Sequence, residues 1–110
     1  MCLKEGKGVK QDDFKAVKFF QKACDLNFRG GCYFLGLMYK EGKGVKQDDF
    51  KAVKFFQKAC DLNSGSGCYF LGLMYGKGKG VRKSNTKALK YYGKACDLQP
   101  NASSKSQALP

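Results

Sequence analysis

The chain has no histidine, only two arginines (Arg29 and Arg82) and no apolar run near the roughly 18 residues that a membrane helix needs. Each shortage excludes something. Without histidine the usual general base, the Cys-His dyad and the commonest zinc ligand are gone. Without arginine, bidentate recognition of bases and phosphates has almost no side chain to work with. Met1-Cys2-Leu3-Lys4-Glu5-Gly6 lacks a basic start followed by an apolar stretch, so it does not read as a secretion signal.

What is present is charge, cysteine and repetition. The net charge is +12, and lysine supplies nearly all of it. Such a field draws in acidic partners, anionic surfaces or nucleic acid. Six cysteines in 110 residues are too many for an ordinary cytosolic protein, and their regular spacing points to an oxidising compartment. Residues Lys4–Asn27 recur letter for letter as Lys40–Asn63. In the wider frames Lys4–Tyr39 and Lys40–Tyr75, only Phe28/Ser64, Arg29/Gly65 and Gly30/Ser66 differ. A more divergent third copy runs from Gly76 to about Leu98. A period of about 36 residues belongs to helix–turn–helix solenoids.

Each period reads as two helices. The longer opens at Asp48-Asp49, where a carboxylate caps free backbone N–H groups and meets the positive end of the helix dipole. From there Ala52, Val53, Phe55, Phe56, Ala59, Cys60 and Leu62 fall on one broad arc, with Lys51, Lys54 and Lys58 on a narrow opposing one. The same reading starts the first long helix at Asp12 and ends it at Leu26. The shorter helix, Gly31 to Lys40 in the first full copy, is apolar nearly all round and is expected to be buried between neighbouring hairpins. Gly36 and Gly72 weaken its interior by about 1 kcal/mol each, which close approach of another helix would explain. Gly42-Lys43-Gly44-Val45 and Gly78-Lys79-Gly80-Val81 are expected to end the short helix and turn the chain.

The expected fold is therefore all-α, a solenoid of αα-hairpins over residues 1–98, divided as a partial unit 1–27 and units 28–63 and 64–98. Residues 1–3 read as the remnant of a short helix, so the chain begins in mid-repeat, as a fragment or a truncated product would. Residues 99–110 depart from the repeat and read as a disordered tail.

Leu35-Gly36-Leu37-Met38-Tyr39, followed by Gly42, Gly44-Val45, Asp48 or Asp49, Ala52 and Lys58-Ala59, resembles the Sel-one-like repeat, a relative of the tetratricopeptide repeat. Ordinary members carry alanine at the places of Cys60 and Cys68; the cysteine version resembles the Helicobacter cysteine-rich protein family. That resemblance implies a secreted or periplasmic repeat protein. It also implies either engagement of a host's immune system or slow β-lactamase and penicillin-binding activity.

Cys24 and Cys32 are separated as Cys60 and Cys68 are, one near the end of a long helix and its mate near the start of the next short one. The hairpin geometry brings those ends together, so structural disulfides are expected. The alternatives are zinc, which needs four clustered ligands, and a redox pair, which favours Cys-x-x-Cys. Cys96 keeps the register of Cys24 and Cys60, but its mate position is Ser104; Cys2 aligns with Met38 and has no counterpart. Both are expected to stay unpaired or to bridge two chains into a dimer.

Ser84-Asn85-Thr86-Lys87 matches the Ser-x-x-Lys string of serine β-lactamases and opens a helix, making Ser84 and Lys87 a candidate nucleophile and activator. Six serines among this many lysines give about one such match by chance. No Ser-Asp-Asn or Lys-Thr-Gly element supports it, and Ser84 stands where Asp12 and Asp48 stand, as a helix cap. The residues lean against an enzyme, and they imply no metal and no cofactor. Gly76-Lys77-Gly78-Lys79-Gly80 lacks the spacing of a phosphate loop and reads as a hairpin turn.

Three functions remain. The first is a secreted scaffold holding a protein or peptide, directed at a host or a cell wall, with Tyr33, Phe34, Tyr69 and Phe70 as surface candidates that compete with a core role. The second, implied by the resemblance, is a weak β-lactamase. The third is an adhesin whose lysine rows (Lys15, Lys18, Lys22; Lys51, Lys54, Lys58; Lys87, Lys90, Lys94) meet an acidic partner. Those rows also read as a solvated face, and nucleic acid is disfavoured by the scarcity of arginine.

Overall fold

A computed structural model describes the backbone of residues 5–98 and the side chains of residues 12–98. Among the described residues five helices follow one another: α1 (Glu5–Asp25), α2 (Arg29–Glu41), α3 (Asp49–Asp61), α4 (Gly65–Lys77) and α5 (Asn85–Leu98). Each packs chiefly on its neighbours in sequence, and α2 also touches α4, so the helices stack into an all-α solenoid. The expectations for Cys2 and for residues 99–110 lie outside the described residues.

Two kinds of joint alternate. After α1 and α3 the chain reverses in three residues. Asn27 and Asn63 take positive φ, of 66° and 71°, a backbone that asparagine tolerates better than most residues. The amides of Asn27 and Phe28 bond to the carbonyls of Cys24 and Ala23 at 2.8 and 2.9 Å, and Asn63 and Ser64 repeat the pattern on Cys60 and Ala59. This is the Schellman closure of a helix end. After α2 and α4, Gly42 and Gly78 take the left-handed conformation with their N–H groups on Met38 and Met74. The next helix then starts at a side-chain cap: Asp48 accepts from the Lys51 amide at 3.0 Å and Ser84 from the Lys87 amide at 3.1 Å.

The first long helix departs from expectation. Instead of opening at Asp12, α1 runs from Glu5, so Gly6-Lys7-Gly8-Val9 is helical whereas the identical Gly42-Lys43-Gly44-Val45 is a turn. Contacts outside the segment account for the difference. The Gly42 amide is held by Met38 at the end of α2, and Gly44 lies so close to the Asp13 carbonyl of α1 that a Cβ there would sit 2.5 Å from its oxygen. Among the described residues no helix offers those two contacts to Gly6 and Gly8.

The core runs along the stacking direction. Phe56, Leu71 and Met74 are fully buried in one cluster and Leu35 in a second with Val17 and Ala59, and Tyr33 and Tyr39 pack against both. Both expected disulfides are present, Cys24–Cys32 and Cys60–Cys68, each with Cα atoms 4.5 Å apart and all four cysteines inaccessible to solvent. Closing a loop of about nine residues contributes roughly 2.5 kcal/mol in the chain-entropy model.

Candidate interaction surface

The short helices are not buried on every side, as their composition suggested. Gly31, Cys32, Leu35 and Gly36 of α2 face the core, and their counterparts in α4 do the same. Phe34 and Tyr69 instead remain 45% and 47% exposed, with Tyr33 and Phe70 half-buried beside them. Helical spacing sets this division. Residues 32, 35 and 36 share one side of the helix, while 33, 34 and 37 extend round to the flank where α2 and α4 run together.

The four aromatic candidates are brought into one continuous cluster. Phe34 stacks on Phe20 of α1 at 5.1 Å and touches Tyr33 at 5.0 Å. Tyr33 reaches across to Phe70 at 5.8 Å and down to Phe56 at 6.2 Å. Phe70 stacks on Phe56 at 5.4 Å and meets Tyr69 edge-on, and Tyr69 continues to Tyr92 of α5 at 5.6 Å. Each such ring pair adds about 0.5–1.5 kcal/mol beyond the area it covers. The result is an aromatic ladder that runs across α1 to α5, anchored in the core at Phe56 and open to solvent at Phe34 and Tyr69.

Electrostatics give the ladder polar points. Burial, and then the Glu41 carboxylate, push the Tyr33 hydroxyl above its ordinary pKa. Burial, and then Tyr69, do the same for Tyr92. Both hydroxyls therefore keep their protons further into alkaline solution than a free tyrosine does. Lys40 places its Nζ 5.9 Å above the Phe70 ring, setting a cation at the ladder's edge. Tyr92, Phe20 and Lys40 were missed in the sequence. Tyr92 and Phe20 occupy the register of Phe56 in the third and first copies, so the repeat period alone could have added them.

The lysine rows lie on the long helices, apart from the ladder. Lys15, Lys18, Lys22, Lys51, Lys54, Lys87 and Lys90 are exposed, and Lys58 and Lys94 are half-buried. Ser84 and Lys87 adjoin at the start of α5, but the Ser84 hydroxyl accepts from the Lys87 backbone amide, and the Lys87 ammonium lies 5.4 Å over the Tyr75 ring. The arrangement is that of a helix cap. Cys96, in the register of the bridged cysteines, carries a free and exposed thiol. Among the described residues no three potential metal ligands cluster, and no helix is long and apolar enough to cross a membrane.

The family model described as Sel1 repeat matches residues 1–28, 30–64 and 65–100. Among solved structures, the chain is similar to Helicobacter pylori cysteine rich protein B, with 43% identity and a TM-score of 0.74 over 81% of this chain and 67% of that one. It is also similar to a Sel1 repeat protein from Oxalobacter formigenes, with 28% identity and a TM-score of 0.76, covering 79% of this chain and 36% of that one. A third is c5321, a protective antigen present in uropathogenic Escherichia coli strains, with 36% identity and a TM-score of 0.79, covering 94% of this chain and 22% of that one. No curated protein matches in sequence.

Proposed function

Since the chain belongs to the Sel1 repeat family, we propose that it is a protein-interaction scaffold that holds a peptide segment on the aromatic ladder of α2 and α4. The observation that carries this reading is the exposure of Phe34 and Tyr69 on a cluster whose other end is fixed in the core. Rings held by packing lose little freedom on binding, so their contact area converts efficiently into affinity. A segment with an apolar anchor fits the exposed rings, and a carboxylate close by fits Lys40. Two buried disulfides support an oxidising, extracytoplasmic workplace.

Ser84 favours the scaffold over a β-lactamase, because its hydroxyl is engaged in capping α5. The test is a selection of displayed peptides on the non-reduced protein, followed by affinity measurements with Phe34→Ala/Tyr69→Ala. Selected peptides should share an aromatic or aliphatic anchor and lose about tenfold or more in affinity to the double variant. Peptides that bind the double variant as tightly as the parent would place the site elsewhere.

A further inference from the structure

The lysine rows have a property that a merely solvated face does not require. Between Asp13 and Asp25 in α1, between Asp49 and Asp61 in α3, and between Asn85 and Asp97 in α5, no acidic residue stands among the lysines, and the aspartates three residues from the row ends form no ion pair with them. The one ion pair among the described residues, Lys43–Glu41, lies outside all three rows. Lys18 and Lys22, Lys54 and Lys58, and Lys90 and Lys94 are like charges one helical turn apart, which destabilise a bare helix. Glutamate among them would relieve the repulsion and solubilise equally well, yet every acid in these stretches stands at their margins.

Repetition organises the charges in two directions. Along each helix a row spans roughly 10 Å. Across helices, equivalent positions in successive copies fall on the same side of a solenoid, so three rows stand as a grid. We infer that this grid is a second binding surface, separate from the aromatic ladder, and that it takes a linear anionic polysaccharide. Lysine meets a sulfate or carboxylate as a point charge and needs no fixed orientation, which suits a ligand presenting anionic groups at intervals along a chain. Neither arginine is in the grid.

The rings beside the rows argue against nucleic acid. Lys18 lies 5.1 Å over Phe14, Lys54 6.0 Å over Phe50 and Lys90 5.4 Å over Tyr91. Each of these three rings has an ammonium over one face, which makes it a poorer platform for stacked bases; Phe19, 67% exposed, is the open ring beside the rows. Phe14 and Phe50, both more than half exposed, offer apolar surface to sugar rings.

The experiment measures binding of a fluorescent heparin oligosaccharide to the non-reduced chain across a salt series. It is run beside DNA oligonucleotides, single- and double-stranded, of matched charge. Two triple variants remove equal charge: Lys18→Gln/Lys54→Gln/Lys90→Gln within the grid, and Lys46→Gln/Lys79→Gln/Lys83→Gln in the turns. All six side chains are exposed, and a melting curve for each variant verifies that the fold is kept. The grid variant should lose about tenfold in affinity near physiological salt and flatten the log–log salt dependence by about two units, with the turn variant changed about twofold or less. Equal losses in the two variants would show that only net charge matters and would overturn the grid. DNA binding as tight as heparin would overturn the choice of polysaccharide, and absence of heparin binding at physiological salt would overturn both.

Discussion

Gly36→Ala and Gly93→Ala add the same methyl group to the interiors of two helices with opposite surroundings. By propensity alone each should stabilise the chain by about 1 kcal/mol. At Gly93 a Cβ meets nothing within 4 Å, so the propensity gain should appear in full. At Gly36 a Cβ would lie 2.7 Å from two ring carbons of Phe56. That ring has no accessible surface, and it is stacked on Phe70 and flanked by Tyr33, so it cannot move without displacing the ladder. Overpacking of this kind costs about 1–3 kcal/mol. With the neighbour so confined the upper half of that range applies, giving a net loss of about 1–2 kcal/mol after the propensity gain. The two variants should therefore differ by about 2–3 kcal/mol, or on the order of 10–20 °C in Tm for a domain of this size. Thermal unfolding followed by circular dichroism under non-reducing conditions reads the difference directly. A Gly36→Ala protein melting at or above the parent would refute the reasoning, since it would mean that the α2–α3 contact has slack and that the glycine is not required by it.

Two further outcomes follow from the joints. Ser84→Ala should cost about 1 kcal/mol through the lost cap of α5, and chromogenic β-lactam turnover should be the same in variant and parent; a selective fall in turnover with the fold intact would restore Ser84 as a nucleophile. Cys60→Ala/Cys68→Ala should lower stability by about 2–3 kcal/mol in a denaturant titration, and a change under 1 kcal/mol would show that α3 and α4 hold together without their bridge.

The parts of the fold legible in the sequence are those decided by local chemistry or by the repeat itself. Asp48 and Ser84 cap the helices they were expected to cap, the cysteines eight apart are bridged, and Gly36 lies against a neighbouring helix. What the sequence could not show depends on position within the stack. Phe55 is half-buried on Tyr39, while its counterpart Phe19 is 67% exposed, because no described short helix lies against that side of α1. Gly6-Lys7-Gly8-Val9 and Gly42-Lys43-Gly44-Val45 are the same four letters in two conformations for a similar reason. Tyr33 and Tyr69 likewise differ in exposure although their helices are nearly identical. Identical windows give identical expectations, and only the neighbours tell them apart.

The placement of the disulfides bears on how such an array comes apart. Each ties a long helix to the short helix that follows it, Cys24 of α1 to Cys32 of α2 and Cys60 of α3 to Cys68 of α4, and so crosses the boundary between one matched repeat and the next. Repeat arrays ordinarily fray unit by unit, because each repeat holds only to the next one through a modest interface. Here those interfaces are the stapled places. An end hairpin that loosens stays tethered to its neighbour and re-docks as an intramolecular event. Oxidation thus sets the size of the cooperative unit, merging hairpins that would otherwise melt in sequence into one mechanical piece. A compartment that reduced the bridges would return the chain to a string of separable links with the same helices.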